Sequence, residues 1–164
     1  MTAASDILIL IGAIGGALIL GLGIVFALLR VWIGKFRAQV QARFAADEIV
    51  LAEWFANNFG VQSRGVTQLR GNGALVLGTD ALHFVMMATK SELKIPLASI
   101  TAVSFANSHL GKTVQAWTGA RKLLAVDFTN EVGAPDRVAL LVHQPEAWQQ
   151  ALQQHTRADA HGVR

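Results

Sequence analysis

Residues Ile7–Leu29 read ILILIGAIGGALILGLGIVFALL, and none of these twenty-three side chains is charged or strongly polar. An apolar run of about eighteen residues or more predicts a transmembrane helix. At about 1.5 Å per residue this run is roughly 35 Å long, enough to cross a bilayer core with some tilt. A cleaved signal peptide is the alternative, but no basic residue precedes the run and no A-x-A site follows it. The stretch therefore predicts a retained membrane anchor over residues 7–29, preceded by a short tail over residues 1–6.

The charges on the two sides of the apolar run predict its orientation. One acidic residue, Asp6, precedes the run. Four basic residues follow it, and they are Arg30, Lys35, Arg37 and Arg43. Basic flanks stay on the cytoplasmic side and are attracted to anionic lipid headgroups. We therefore expect the N-terminus outside and the remainder of the chain in the cytoplasm.

Small residues fall on one side of the apolar run. Gly12, Gly16, Gly23 and Ala27 lie on a single stripe at about 100° per residue, and Gly12 and Gly16 form a G-x-x-x-G pair. Such a stripe lets two membrane helices approach closely, which predicts helix–helix contact and a homodimer. Glycine is also common in membrane helices that do not pair, so an unpaired helix is the alternative.

The charge of the chain is unevenly distributed. The net charge is +3 over 164 residues. Residues 1–43 contain four basic residues and one acidic residue, whereas residues 44–164 contain ten of each. A neutral domain is a poor match for a nucleic-acid backbone, so we expect no nucleic-acid partner. The chain contains no cysteine, which excludes a disulfide framework, a thiolate nucleophile and the common zinc sites.

The segment over residues 30–60 carries apolar residues at helical spacing. These residues recur every four or seven positions, and they are Val40, Phe44, Leu51, Phe55 and Phe59. The spacing predicts a juxtamembrane helical linker. Two placements stay open for residues 38–59, because the helix either lies on the bilayer surface or packs against its own domain.

From Gly60 onward the helical spacing disappears, and glycines separate short apolar runs. These runs predict about seven β-strands. The eight candidate runs, of which about seven are expected as strands, are Val66–Leu69, Ala74–Leu77, Leu82–Met87, Leu93–Leu97, Ile100–Phe105, Thr113–Trp117, Leu123–Phe128 and Val138–Val142. One helix is predicted after them, because Pro145 suits a first turn and Trp148, Leu152 and His155 line one face.

Two stretches carry a resemblance to a known fold. Residues 73–84 read GALVLGTDALHF, and residues 93–103 read LKIPLASITAV. With the antiparallel strands and a closing helix that buries a Trp, they resemble the pleckstrin-homology-like domain in its bacterial or GRAM-type form. The resemblance covers about residues 61–155, and a flexible tail follows over residues 156–164.

The resemblance implies an α+β chain, in which one transmembrane helix precedes an antiparallel β-barrel of about seven strands capped by a C-terminal helix. Residues 65–73 (GVTQLRGNG) and 108–113 (SHLGKT) are similar to uncharacterised bacterial membrane-anchored proteins of this type. The expected location is therefore the bacterial inner (cell) membrane, with a single pass and a cytoplasmic domain. The resemblance implies a module that binds lipid or protein, with no cofactor and no enzymatic activity. The five histidines show no metal-ligand spacing, and no Ser-His-Asp arrangement is supported.

Domains of this type place basic side chains at one open end of the barrel. By that resemblance, five residues near predicted turns are candidates for binding an anionic headgroup, and they are Lys90, Lys94, Lys112, Arg121 and Lys122. The alternative for each is a solvated surface charge. Arg70 stands directly before Gly71-Asn72-Gly73, where a structural hydrogen-bonding role competes with a ligand role.

Residues 106–113 (ANSHLGKT) match a Walker A pattern with Ala in place of the first Gly. A phosphate loop needs a helix after it, but residues 114–119 (VQAWTG) read as a short strand and a turn. The favoured interpretation is a barrel loop in which His109 and Lys112 face solvent. Nucleotide binding through Gly111-Lys112-Thr113 is a remote alternative.

Three functions are therefore open. The first is a non-catalytic module whose barrel binds a protein partner or anionic lipid at the membrane surface. The second is a structural accessory subunit of a membrane complex that dimerises through its Gly-rich helix. The third is a nucleotide binder. The sequence names neither the partner, nor the lipid, nor the pathway.

Overall fold

The structure of the chain is a computed structural model that describes residues 3–45, 48–68, 70–113 and 122–162. The chain divides into two compact units, Met1–Gln39 and Val40–Arg164. In chain order the elements are helix α1 (Ala3–Gln41), strands β1 (Ile49–Val61), β2 (Gly71–Gly78), β3 (Ala81–Met86), β4 (Glu92–Pro96), β5 (Ile100–Ala106), β6 (Ser108–His109), β7 (Lys112–Thr113), β8 (Leu123–Thr129) and β9 (Pro135–Leu141), and helix α2 (Pro145–Gly162).

Helix α1 contains the apolar run and extends past Leu29 to Gln41. Within it, Ile14–Gln41 is long and apolar enough to cross a membrane, with a mean hydropathy of 2.3 and none of its apolar window buried. The helical prediction for the linker is confirmed as far as Gln41. Arg30, Lys35 and Arg37 consequently lie on the helix itself.

The stripe of small residues on α1 faces open space in the single chain. A Cβ atom added at Gly12, Gly16 or Gly23 would have no neighbour within 4 Å. The contact of this stripe, which includes Ala27, with a second copy of the helix stays a prediction.

Residues 49–60 form most of strand β1, so the predicted helical linker is wrong over this range. β1 pairs with β2 along its first part and with β9 along its last part. Its register shifts between Glu53 and Ala56 and again between Asn58 and Gly60. Leu51, Phe55 and Phe59 are spaced by four residues, a spacing that fits a strand with its two-residue alternation as well as a helix, so it does not distinguish the two. The sheet therefore begins before the predicted domain boundary at residue 61.

The main strands form one seven-stranded sheet in the order β4-β3-β2-β1-β9-β8-β5, and each paired neighbour is antiparallel. Because β4 and β5 stand at the two ends of this order, the sheet is not closed, and the predicted barrel is corrected to an open sheet. Strands β6 and β7 form a separate small hairpin. The predicted α+β class is confirmed, with an apolar N-terminal helix, an antiparallel sheet and a C-terminal helix.

Most of the predicted strands coincide with observed strands to within a few residues. Val66–Leu69 does not, because Val66 and Thr67 form a turn and Leu69 lies outside the described residues. Thr113 is the last residue of β7, and residues 114–117 of that predicted strand also lie outside the described residues.

The inner face of the sheet and helix α2 enclose the main core. Trp148 and Leu152 on α2 are almost completely buried in it. Glu53 on β1 accepts hydrogen bonds from Trp148 Nε1 at 3.2 Å and from the backbone N–H of His143 at 3.0 Å. The His143 Nδ1 atom lies 2.7 Å from the same carboxylate. One half-buried carboxylate thus ties the start of α2 to the middle of β1.

The face of β2 and β3 that points away from the main core is also buried. Val76 on this face, for example, has no solvent-exposed surface. The segment that precedes β1 contacts this face. Phe44 packs edge-on against the His83 ring with centroids 4.9 Å apart. Glu92 joins the two elements, because its carboxylate lies 2.7 Å from His83 Nδ1 and 3.2 Å from Arg43 Nη1. These contacts hold the segment around Arg43 and Phe44 against the β3–β4 hairpin.

Candidate functional site: a cleft between two rigid loops

The β1–β2 loop is fastened to the start of β9 by one carboxylate. Asp136 accepts hydrogen bonds from the backbone N–H and the hydroxyl of Ser63, at 2.9 Å and 2.5 Å, and from the backbone N–H of Arg137 at 2.8 Å. Burial raises the pKa of the Asp136 carboxyl, but these hydrogen bonds outweigh burial and hold the pKa below its ordinary value. Asp136 therefore fixes the distance between the two loops.

A second side chain, Gln68, closes the β1–β2 loop on itself. Its Oε1 atom accepts the Val61 N–H at 2.9 Å, and its Nε2 atom donates to the carbonyl oxygens of Val61 and Gly65 at 2.5 Å and 2.7 Å. The loop consequently presents Arg64 and Val66 to solvent from a fixed backbone, and Val66 is 64% exposed.

The β8–β9 loop is a compact turn built around Asn130. The Asn130 Oδ1 atom accepts the N–H groups of Val132 and Ala134 at 3.2 Å and 2.9 Å. Gly133, at a φ of +80°, donates its N–H to the Asn130 carbonyl at 2.9 Å. Asn side chains stabilise turns in this way because they bond the backbone two residues further on. The turn leaves Val132 86% exposed at its tip.

A cleft of about 380 Å³ lies between these loops and the edge strand β4. Its lining combines apolar side chains with a balanced set of charges, two basic and two acidic. The apolar residues are Val61, Leu93, Pro96, Phe128 and Val132, and the charged residues are Arg64, Lys94, Glu131 and Asp136. Small concave sites of this kind, apolar with a few fixed polar groups, are typical of binding sites.

The Walker-like stretch forms the β6–β7 hairpin instead of a phosphate loop. Leu110 and Gly111 have φ values of +50° and +70°, the left-handed conformation that two-residue hairpin turns require. Lys112 and Thr113 pair with Ser108 and His109 as strand residues, so no helix begins at Lys112. In the described residues of this stretch, the hairpin agrees with the favoured interpretation of a loop between strands and not with the phosphate loop of the remote alternative.

The prediction that His109 and Lys112 face solvent is also wrong. His109 is 8% exposed, and Lys112 is half-buried and donates from Nζ to the Gln68 carbonyl at 3.2 Å. Burial lowers the pKa of His109, and a hydrogen bond with the backbone of Gly60 opposes this effect only in part. In the described part of the chain the His109 Nε2 atom has no hydrogen-bond partner. The imidazole is therefore suited to its site in the neutral form.

A pH-dependent stability follows from the burial of His109. Its folded-state pKa lies below the ordinary value of 6.5, so the unfolded chain takes up this proton more readily. Stability is therefore complete above about pH 6.5 and falls as the pH decreases toward the folded-state pKa. We expect acidification from about pH 7.5 to about pH 5.5 to lower the unfolding temperature of the wild-type chain more than that of His109→Asn.

The measurement is thermal unfolding of the detergent-solubilised full chain at both pH values. Because the chain contains other histidines, the quantity compared is the difference between wild type and variant. His155→Asn is the control, and its unfolding temperature should change with pH as that of the wild type does. An unfolding temperature that changes equally with pH in wild type and His109→Asn would contradict the claim that the buried His109 lowers stability at acidic pH.

The structure describes four of the five basic residues predicted to bind an anionic headgroup, and their role in binding stays a prediction. Lys94 donates to Asp80 at 3.1 Å, and this hydrogen bond holds the pKa of Asp80 below its ordinary value. Lys122 lies 5.8 Å from the centre of the Phe105 ring. Lys90 occupies the β3–β4 turn at a φ of +59°. Lys112 is engaged as described above, and Arg121 lies outside the described residues.

Sequence reasoning missed the residues that build the cleft. For Arg70 the sequence left open a structural role and a ligand-binding role. In the structure its guanidinium stacks over the Phe59 ring at 3.6 Å from the ring centre, which is a structural contact. The hydrogen bond from Ser63 to Asp136, which brings the two loops together, depends on the long-range pairing of β1 with β9. No local signal marks that pairing.

Among the described residues, no group of three or more His, Asp or Glu side chains could hold a metal ion.

No family model matches the chain, and no curated protein matches it in sequence. A chain of the 8S snRNP assembly intermediate has a TM-score of 0.52 at 10% identity, covering 69% of this chain and 85% of that chain. The Vps36 N-terminal PH domain has a TM-score of 0.49 at 10% identity, covering 69% and 81% respectively. A complex of human RhoA with the DH/PH fragment of PDZRhoGEF contains a chain with a TM-score of 0.45 at 12% identity, covering 68% and 29%. At these identities the likeness concerns the fold alone.

Proposed function

We propose that the chain is a membrane-anchored, non-catalytic binding module, whose pleckstrin-homology-like domain binds a protein partner through the cleft between the β1–β2 and β8–β9 loops. Helix α1 supplies the anchor, and the basic flank places the domain on the cytoplasmic side. The observation that carries the proposal is the cleft itself, where rigid loops hold apolar and charged side chains around a concave surface of about 380 Å³.

The charges of the cleft favour a protein partner over an anionic lipid headgroup. Arg64 and Lys94 are balanced by Glu131 and Asp136. A phosphate-bearing headgroup would meet two carboxylates there, and like charges disfavour binding. A protein surface of mixed charge can pair with these four charged residues. The exposed Val66 and Val132 at the loop tips can pack against apolar residues at the centre of such a protein interface.

The test uses the full-length chain in its native membrane, with a photo-crosslinking amino acid in place of Val132. We expect one discrete protein adduct, reduced about tenfold when Arg64→Glu reverses a rim charge. The matched control places the same crosslinker at Gln154, an exposed residue of α2 outside the cleft, where this adduct should be absent. Adduct formation that is equal at both positions, or unaffected by Arg64→Glu, would contradict a protein site in the cleft.

A second arm tests the lipid alternative with the full chain in nanodiscs. Discs of phosphatidylcholine alone are compared with discs that also contain phosphatidylglycerol, and amide hydrogen exchange is followed in residues 62–68 and 130–134. We expect the same exchange in both. Slower exchange confined to these loops in the anionic discs would identify a lipid headgroup as the ligand and overturn the protein assignment.

A further inference from the structure

The β6–β7 hairpin is a small element that stands apart from the main sheet. Its two strands have two residues each, and in the described part of the chain they pair only with each other. A two-stranded hairpin is marginally stable by itself in water. The hairpin therefore depends on its contacts with the rest of the domain, and its detachment costs less than the unfolding of the whole domain.

Three side chains of the hairpin hold it against the end of β1 and the β1–β2 loop. His109 is buried and makes a hydrogen bond with the Gly60 backbone. The Leu110 side chain lies against the same glycine, because its Cδ1 atom would be 3.1 Å from a Cβ atom built there. Lys112 donates from Nζ to the Gln68 carbonyl at 3.2 Å. All three contacts are with the part of the chain that forms one wall of the cleft.

Gln68 connects the hairpin to the cleft. Its side chain binds the backbone of Val61 at the start of the loop and the Gly65 carbonyl further along it. Val61 and Arg64 both line the cleft. A hairpin that leaves Gln68 therefore removes a hydrogen bond from the residue that closes the loop on itself.

The surroundings of His109 make these contacts sensitive to protonation. In the described part of the chain, no acceptor lies within hydrogen-bond distance of its Nε2 atom. The charges that act on the ring are two cations, Lys112 on β7 and Arg137 on β9, and one anion, Asp136 on β9. The Asp136 oxygens already accept three hydrogen bonds, and Arg137 is paired with Asp127. An imidazolium at this position would be a buried charge without an acceptor, which is unfavourable.

We propose that the β6–β7 hairpin is a pH-sensitive conformational switch: protonation of His109 detaches it from Gly60 and Gln68, and the β1–β2 loop then loses its fixed conformation. Detachment exposes the imidazolium to water and separates it from the nearby cations. The release is local, so the seven-stranded sheet stays folded. Its effect on binding, the loss of one wall of the cleft at acidic pH, rests on the function proposed above, whereas the release itself does not.

The direction of the switch follows from the burial of His109. Burial lowers the pKa of the ring in the attached hairpin, and detachment returns it toward the ordinary value of 6.5. The attached hairpin is therefore fully favoured above about pH 6.5, and this preference is lost as the pH falls toward the lower pKa. Asp136 does not share this response, because its hydrogen bonds hold its pKa below the ordinary value of 3.8.

The test measures local mobility without any partner. Because the chain contains no cysteine, one nitroxide label can be attached at a chosen position of the full chain in nanodiscs. Ser108→Cys places the label on the hairpin and Val66→Cys places it on the β1–β2 loop, and both positions are exposed. From about pH 7.5 to about pH 5.0, the mobile component of the EPR spectrum should grow at least about threefold at both positions, with one common midpoint.

A third label position and a variant without the titrating ring are the controls. Val132→Cys labels the β8–β9 loop, which is held by Asn130 and not by the hairpin, so its spectrum should stay the same over this pH range. His109→Asn removes the imidazole, and the labels on the hairpin and on the β1–β2 loop should then stay immobile at about pH 5.0.

Lys112→Met tests the connection to the loop independently of His109. It removes the hydrogen bond to the Gln68 carbonyl and keeps the aliphatic part of the side chain. The label on Val66→Cys should be mobile in this variant already at about pH 7.5. This measurement decides the connection even if His109→Asn does not fold.

The outcomes separate the switch from the function of the cleft. No response at either label, an equal response in His109→Asn, or an equal response at Val132→Cys overturns the switch. A hairpin label that is released while the loop label stays immobile overturns the connection between them. Binding is followed through the protein adduct of the crosslinker at position 132. Its absence at every pH contradicts the proposed function, and an adduct that persists unchanged after the loop is released contradicts the effect on binding.

Discussion

Replacing Gly73 by alanine should destabilise the domain by about 3 kcal/mol or more, because the site cannot accept even one methyl group. A Cβ atom on Gly73 would overlap the carbonyl oxygen of Val85 and lie 2.7 Å from the Phe84 ring. Both neighbours belong to β3, the strand paired with β2, so the backbone of one strand would have to move. The free energy of unfolding of the full chain in detergent, measured by urea titration with circular dichroism, checks this.

The control for this substitution lies two residues away on the same strand. The three atoms nearest to a Cβ atom on Gly71 all belong to the Met86 side chain, the first at 3.1 Å, and a Met side chain is flexible enough to turn aside. Gly71→Ala should therefore change the free energy of unfolding by less than about 1 kcal/mol. Equal losses for Gly71→Ala and Gly73→Ala would show that strand propensity, and not the overlap with β3, decides the outcome.

Trp148→Ala should cost about 3–5 kcal/mol, since it empties a large volume of the core and removes one of the hydrogen bonds to the Glu53 carboxylate. Trp148 is 2% exposed, and its Nε1 atom donates to Glu53. A loss of this size is a large fraction of the stability of an ordinary domain. The measurement is the shift in thermal unfolding temperature, at roughly 3–4 °C per kcal/mol for a domain of this size.

A second variant separates packing from hydrogen bonding at this position. Trp148→Phe keeps most of the aromatic volume but removes the bond to Glu53, whose carboxylate still accepts two groups of His143. We expect Trp148→Phe to cost less than half as much as Trp148→Ala. Equal costs for the two variants would mean that the bond to Glu53 outweighs the packing, contrary to the argument from the core.

The two helices and most strands could be predicted because their signals are local. A continuous apolar run produces α1, and residues 82–87, 123–128 and 138–142 are flanked by glycine or turn residues. β1 could not be predicted, because the four-residue spacing of its apolar side chains fits a helix as well as a strand. What keeps these residues extended is their pairing with β2 and β9, which are distant in sequence, and tertiary pairing overrides local spacing.

The candidate site was harder to predict than the fold for the same reason. Basic residues near turns can be identified in the sequence, but the groups to which they hydrogen-bond cannot. Lys94 is paired with Asp80, and Lys112 is bonded to the backbone of Gln68. The cleft instead depends on Ser63 meeting Asp136 across 73 positions of sequence, a contact that only the folded sheet creates.

The contacts of Arg43 and Phe44 with the β3–β4 hairpin have a practical consequence for producing the domain without its helix. A soluble fragment that starts at residue 61 lacks β1, the strand that joins both halves of the sheet. One that starts at residue 45 removes Phe44 from the His83 ring and Arg43 from the Glu92 carboxylate. Trimming at either point uncovers apolar surface and invites aggregation. A soluble fragment of the domain should therefore start before Val40, which is itself buried.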